Sequence, residues 1–458
     1  MRPRRANPVL LAIVVEGFLS RLSFGLISFA LPLYAYRLGM SLTAIGFLSS
    51  VNLVVALTLK PLSGSAVDRV GLKLGLVAAM TLRSVVSLLL VFATLPWQLF
   101  ATRAVHGVSM SVRDPAVNAL IAENGGTRSV ATAFAGYQTA KSVAGALGKV
   151  LAGLLLGLTA SNFSIVFGVA FALSVLPIAI VALYLPKDRR SPAVESRATQ
   201  LEAPEPAGPR PAMLPFMSLG FLVSGTAYML ANLFPIFAVE YAGLTETQAG
   251  LIYSLSAVVV LAGPSFGWLS DHVSRKLVLS IRSAANVLSS VIYLVAPNLA
   301  GMAAGRIVDD LGKAAFRPGW GALMAHVSSF DRRRRGRTMG YLSAGEDAGE
   351  ATGPILAGFL WSTWGVPALL GVRIAFAVIT EVYTITLARS LRRLEIDARR
   401  SQRPLRPRTG LEPSLPRRTE VGGERAAASA RRDGTEGATP HSPADEALSQ
   451  TSTASSPS

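Results

Sequence analysis

Ionisable side chains set inside long apolar stretches are where this sequence has chemistry to offer. The stretch from about 9 to 36 holds Glu16 and Arg21; 98 to 122 holds Arg103, His106, Arg113 and Asp114; 130 to 158 holds Lys141 and Lys149. Further on, 299 to 326 holds Arg306, Asp309, Asp310, Lys313 and Arg317, and 337 to 363 holds Glu346, Asp347 and Glu350. A charge at the centre of a membrane-spanning helix costs about 2.5–3.5 kcal/mol on insertion scales, so each one implies a partner or a water-lined cavity. Carboxyl groups in such a cavity serve as proton carriers, and cations serve as counter-charges for a polar or anionic ligand.

The spacing of these groups narrows their roles. Arg306 with Asp310 and Asp309 with Lys313 lie four residues apart, on one helical face, and read either as neutralised structural pairs or as part of a proton site. Adjacent Asp309 and Asp310 point about 100° apart, so one is expected to face a cation and the other the cavity. Glu346 and Glu350 lie one turn apart and repel, which makes them the next proton-coupling candidates. His106 is either a hydrogen-bonded helix residue or a proton carrier. No phosphate-binding loop and no His-Glu-x-x-His is present, and there is no cysteine. No enzyme activity, cofactor or metal site is expected, and an ion or proton gradient is the simplest energy source.

The elements that hold these residues follow from composition. Hydrophobic residues make up 51% of the chain and charged residues only 16%, well below the roughly 25% of a soluble domain. Lys and Arg outnumber Asp and Glu by 44 to 27, but the excess is gathered in short clusters beside apolar stretches, as at Arg332 to Arg335, which points to membrane anchoring and not to nucleic acid. Cutting at charge clusters and Pro/Gly/Asn breaks gives twelve segments of spanning length: 9–36, 44–66, 74–94, 98–122, 130–158, 163–185, 212–239, 246–269, 277–296, 299–326, 337–363 and 366–388. Runs this long and this apolar are helices and not barrel strands. The first is too long for a secretory signal and is expected to stay as a span. The fold class is therefore an all-α polytopic membrane protein. Loop Lys and Arg fall at the N-terminus, after even-numbered segments and at the C-terminus, which places both termini in the cytoplasm of a plasma or inner membrane. Residues 187–211 and 391–458, rich in Pro, Ala, Ser and charge, read as a cytoplasmic linker and a disordered tail.

An internal repeat organises the rest. Gly64, Asp68 and Lys73 recur as Gly267, Asp271 and Lys276 with a constant offset of 203 between the aspartates, and the same offset relates Arg103 to Arg306, Pro115 to Pro318 and Pro32 to Pro235. Leu151-Ala-Gly153 matches Leu356-Ala-Gly358 after a small slip. Two homologous six-helix halves, 1–186 and 212–390, are expected. Gly145, Gly148 and Gly153 in the fifth segment, and Gly349, Gly353 and Pro354 in the eleventh, mark close helix packing.

Gly64, Asp68, Arg69, Gly71 and Lys73 after the second segment, with Gly267, Leu269, Asp271, Arg275 and Lys276 after the eighth, resemble the loop signature of the major facilitator superfamily. The resemblance implies a twelve-helix fold of two pseudo-symmetric bundles, loops that gate the cytoplasmic side, and a substrate cavity lined by the first and fourth helices of each half. It thereby names Glu16, Arg21, Arg103, His106, Arg113, Asp114, Arg306, Lys313 and Arg317 as cavity candidates. Arg103-Ala-Val-His-Gly107 is similar to a motif of proton-coupled drug exporters, whereas the antiporter Gly-x-x-x-Gly-Pro is interrupted in the fifth segment by Lys149. The resulting expectation is a monomeric, proton-coupled exporter of small molecules, with membrane lipid and an ion gradient as its partners. Uptake of a polar or anionic metabolite, or a sensor that no longer transports, are the alternatives.

Overall fold

The computed structural model describes residues 8–124, 130–185, 212–273, 275–329 and 335–401, so the expected linker and most of the expected tail lie outside the described residues. Six helices form the first half: α1 (Pro8–Arg37), α2 (Leu42–Val70), α3 (Leu72–Phe92), α4 (Pro96–Asn124), α5 (Val130–Leu158) and α6 (Phe163–Tyr184). In the second half the seventh crossing is built from α7 (Leu214–Ala231), a short α8 (Phe234–Ile236) and a π-helical turn (Phe237–Tyr241). The interruption falls where Pro235, lacking an N–H, leaves the Ala231 carbonyl without its helical donor. Then come α9 (Glu246–Val260) with α10 (Gly263–His272) as the eighth crossing, α11 (Arg275–Val295), α12 (Leu299–Ser329) and α13 (Arg335–Ser401). Gly365, at φ 80°, breaks α13 into an eleventh and a twelfth crossing. That left-handed conformation is one that glycine adopts without strain.

Eight stretches of the described residues are by themselves long and apolar enough to cross a membrane. Helices α4 and α12 are not among them, because they carry the ionisable residues. The twelve crossings and the all-α class agree with expectation.

Packing differs between the two ends of the bundle. Near Arg37, one hydrophobic core is shared by both halves, joining Leu26, Phe29 and Leu33 of α1 to Leu230, Phe234 and Leu370. At the end that holds Pro8 and Tyr184, each half has its own core: one around Ile13, Leu76 and Ile121, the other around Phe216, Phe316 and Trp320. Small residues make the shared end possible. A Cβ on Gly153 of α5 would lie 2.7 Å from Gly250 Cα of α9, and one on Gly358 of α13 would strike the backbone of Leu42. Pro354 meets Gly46 in the same way, the carbonyl of Pro354 lying where a Cβ would sit. Within the halves, Gly145 and Gly148 let α5 approach Gly25 of α1, and Gly349 and Gly353 let α13 approach Phe221 and Gly225 of α7. The exposed rim of the shared end adds Arg37 at 3.9 Å from Glu240 and 3.7 Å from Glu246.

Candidate functional site

A cavity lies between the halves. Its walls come from α1 (Arg21, Phe24), α2 (Ser49, Asn52, Leu53), α3 (Arg83), α4 (Arg103, His106, Ser109, Met110, Arg113, Asp114) and α5 (Lys141), closed by Tyr228 and Asn232 at the end of α7 and by Glu350 of α13. Arg103, His106, Met110 and Arg113 repeat at three- and four-residue steps, which puts them on one face of α4.

One cation on this wall is fully compensated. Glu16 of α1 is completely buried and takes a fork from Arg113: Nε at 3.1 Å, Nη2 at 2.7 and 3.0 Å. Ser20 Oγ donates to the same carboxylate at 2.8 Å, and Arg113 also donates to the Tyr137 hydroxyl at 3.1 Å and to Asp114 at 3.4 Å. Glu16 therefore sits behind the wall and holds Arg113 in place; it does not line the cavity itself.

Three other guanidinium groups have no such partner. Arg83 donates to the Ser20 carbonyl and Arg103 to the Leu48 carbonyl, leaving Arg83 Nε and Arg103 Nη1 buried and unbonded. Among the described residues no carboxylate lies within ion-pairing distance of Arg21, Arg83 or Arg103. All three gather around the ring of Phe24, at 5.0, 5.3 and 5.9 Å from its centroid, while His106 stacks on that ring at 5.0 Å. Such cation–π contacts are worth about 0.5–2 kcal/mol each, too little to replace a counter-ion.

The second half handles charge differently. Asp309 accepts from Arg282 at 3.1 Å, Arg373 at 2.6 Å and Lys313 at 2.6 Å. Asp310 accepts from Arg306 at 2.8 Å, Lys313 at 3.2 Å and the Ser256 hydroxyl. Arg306 rests over Tyr253 at 4.5 Å and Phe234 at 4.9 Å, and Lys149 of α5 covers Tyr253 at 4.3 Å. Arg373 is further held by Asn286, Ser289 and Ser290.

The family model described as Major Facilitator Superfamily matches residues 14–263 and 216–427. The chain belongs to the Major Facilitator Superfamily. It is a multi-pass membrane transporter. Multidrug resistance protein MdtG of Erwinia billingiae is 27% identical over 391 residues, 82% of this chain and 93% of that protein. MdtG of Escherichia coli is 25% identical over 393 residues, 83% and 93% of the two chains. A bacterial homologue of the human lysosomal transporter Spinster, solved inward-facing and occupied, aligns with TM-score 0.67 at 15% identity over 83% of this chain and 96% of its own, a likeness of fold.

Several expectations need correction within this major facilitator frame. Asp309 and Asp310 were expected to put one carboxylate into the cavity; neither lines it, because cations on α11, α12 and the second limb of α13 occupy both. Arg306 and Lys313 are spent on the same pairs, and exposed Arg317 is also absent from the wall. Helix α12, the tenth crossing, thus contributes nothing to this cavity, and α2, α3, α5 and α13 do instead. The proton-coupling candidates Glu346 and Glu350 separate: Glu346 accepts from Trp320 Nε1 at 3.0 Å, whereas Glu350 faces the cavity beside Tyr228. In the signature loops, Gly71 has φ 102°, and Lys73 donates to the Ala182 and Leu185 carbonyls at the end of α6 at 2.9 and 2.5 Å. A Cβ on Gly267 would lie 3.9 Å from Pro318 Cβ, an ordinary contact. The side chains of Asp68, Arg69, Asp271, Arg275 and Lys276, and the surroundings of Gly64, lie outside the described residues.

Sequence reasoning missed Arg83, Arg282 and Arg373. Each is the one arginine of a long apolar span, which in the case of Arg373 also holds Glu381.

Proposed function

We propose that this transporter exports small organic molecules in exchange for protons by alternating access, as a monomer in the plasma or inner membrane, with Glu350 carrying the proton. The observation that carries the reading is that Glu350 shares one cavity with the uncompensated guanidinium groups of the first half. Taking up a proton there changes the cavity's charge by one unit, so proton and substrate compete for the same space. The shared core at the Arg37 end and the separate cores at the other support a single access state. With the basic clusters on the cytoplasmic side, that state faces the cytoplasm. Residues 1–186 and 212–390 would rock about the cavity, joined by the 187–211 linker, with the Asp68 and Asp271 loops closing the cytoplasmic side. Export is favoured by the relatives named for multidrug resistance.

Uptake by symport is the second reading, favoured by the surplus of cations on the wall. The test is Glu350→Gln in proteoliposomes under an imposed pH gradient. Uphill movement should be lost while exchange of substrate down its own gradient persists, and the sign of the substrate-triggered pH change in the wild type decides between export and uptake. Uphill transport by Glu350→Gln with unchanged pH dependence would place the proton site elsewhere.

A further inference from the structure

We propose that the substrate is a small organic anion, whose carboxylate or phosphate group supplies the counter-charge that Arg21, Arg83 and Arg103 lack. This rests on the reading that the cavity between the halves is the substrate site. Arg83 and Arg103 are each only 8% exposed, and each keeps a buried N–H without an acceptor. A buried donor left unbonded is destabilising, and a buried cation without a counter-ion more so, unless something that comes and goes completes it.

Water in the cavity is the bland alternative, but it does not explain why the buried arginines of the second half each reach a carboxylate, Arg282 included although its Nε and Nη2 stay unbonded, while Arg83 and Arg103 reach none. In the second half Arg282, Arg306, Lys313 and Arg373 all reach Asp309 or Asp310. The acids that do line the cavity, Asp114 and Glu350, pair with none of the three arginines among the described residues. Two or three guanidinium forks converging on one space match the several acceptor oxygens of a carboxylate or phosphate. The remaining wall, with Phe24, Leu53, Met110 and Tyr228, suits an apolar or aromatic body attached to that group.

The test uses the full chain purified in detergent, with benzoate and phenyl phosphate as anionic probes, benzamide as the neutral counterpart and tetraphenylphosphonium as a cation. Calorimetric binding and thermal shift should show benzoate, phenyl phosphate or both binding, with benzamide weaker by about tenfold or more. Which of the two binds better tells whether the site is built for a carboxylate or for a phosphate. Arg21→Gln should weaken the anion by a similar factor. Arg21 opens to the cavity and donates no hydrogen bond to the scaffold among the described residues, so the variant keeps its fold; Arg103→Gln provides a second reading. Benzamide or tetraphenylphosphonium binding as tightly as the anions, an unchanged affinity in Arg21→Gln, or no binding of either anion overturns the inference. Transport of tetraphenylphosphonium without anion binding would sink the anion site and leave the transport reading standing. Arginine-dependent benzoate binding with no transport in vesicles would do the reverse.

Discussion

The two halves share a backbone plan and differ in how they treat charge at matched positions. Arg306 has Asp309 and Asp310 one turn on, Lys313 follows on the same helix, and the neighbouring helices deliver Arg282 and Arg373 to Asp309. Arg103, its counterpart at the 203-residue offset, has His106 and Gly107 in the same two places. Gly107 serves packing: a Cβ there would lie 2.5 Å from the Asn52 carbonyl and 2.8 Å from Val55. The first half has thus exchanged its counter-ions for a close α2–α4 approach and an aromatic platform, leaving its cations available to a ligand. The second half has closed its charges into a knot that ties α9, α11, α12 and α13 together. On the proposed reading, one duplicated unit supplies most of the binding wall and the other, apart from Tyr228, Asn232 and Glu350, a rigid partner.

The strongest way to break this contrast is Asp309→Asn. If the second half is a structural knot, the change leaves Arg282, Arg373 and Lys313 sharing too little negative charge, and removing one partner of a buried ionic cluster costs about 3–5 kcal/mol. Thermal unfolding in detergent should show a large loss of stability and a fall in the yield of inserted protein. A variant that is as stable as wild type and lacks only uphill transport would restore Asp309 to the coupling role and end the division of labour argued above.

A smaller effect tests the respect in which the halves remain alike. Gly153→Leu and Gly358→Leu occupy matched positions at the closed end, each against the backbone of the opposite half. Either should cost about 1–3 kcal/mol of closed-end packing and tilt the protein towards opening on that side. The chain has no cysteine, so a single cysteine placed at Asn232 reports access cleanly. Labelling by an impermeant maleimide from the Arg37 side should rise in both variants by similar factors. A rise in only one would show that the closed end is not symmetric.

What the sequence disclosed and what it hid have a common physical basis. Hydropathy and the repeat disclosed the spans and halves, because lipid permits few alternatives to a helix. Interactions local to one helix were equally legible, as in Arg306 with Asp310 and Asp309 with Lys313, since a 3.6-residue period fixes those neighbours. Contacts between helices were not: nothing in the spacing of Arg282, Arg373 and Asp309 announces that they meet. The same gap moved Glu16 from the cavity to a buried clamp on Arg113, and turned Glu350, one of two similar glutamates, into the one that faces the cavity. The matched prolines show the limit of the repeat itself, for α1 runs through Pro32 while the seventh crossing is interrupted before Pro235.

The smallest expected effect is also the most direct probe of the missing counter-ion. Asn52 lines the cavity from α2, its Nδ2 touches Met110 Sδ at 3.3 Å, and its Oδ1 is buried without a donor. It lies one turn beyond Leu48, whose carbonyl Arg103 already contacts at 3.3 Å. Asn52→Asp keeps the shape of the side chain and adds the negative charge that the first half lacks. Desolvating the new carboxylate opposes the change, while charge-assisted hydrogen bonding to the neighbouring guanidinium groups favours it. With Arg83 and Arg103 already buried without a carboxylate partner, the second effect should win by about 1 kcal/mol, the scale of one net hydrogen bond. The variant should therefore unfold slightly later than wild type in detergent and bind benzoate more weakly, because its own carboxylate competes for the same donors. Lower stability with unaltered benzoate binding would mean that the arginines are already satisfied, and the contrast between the halves would lose its functional meaning.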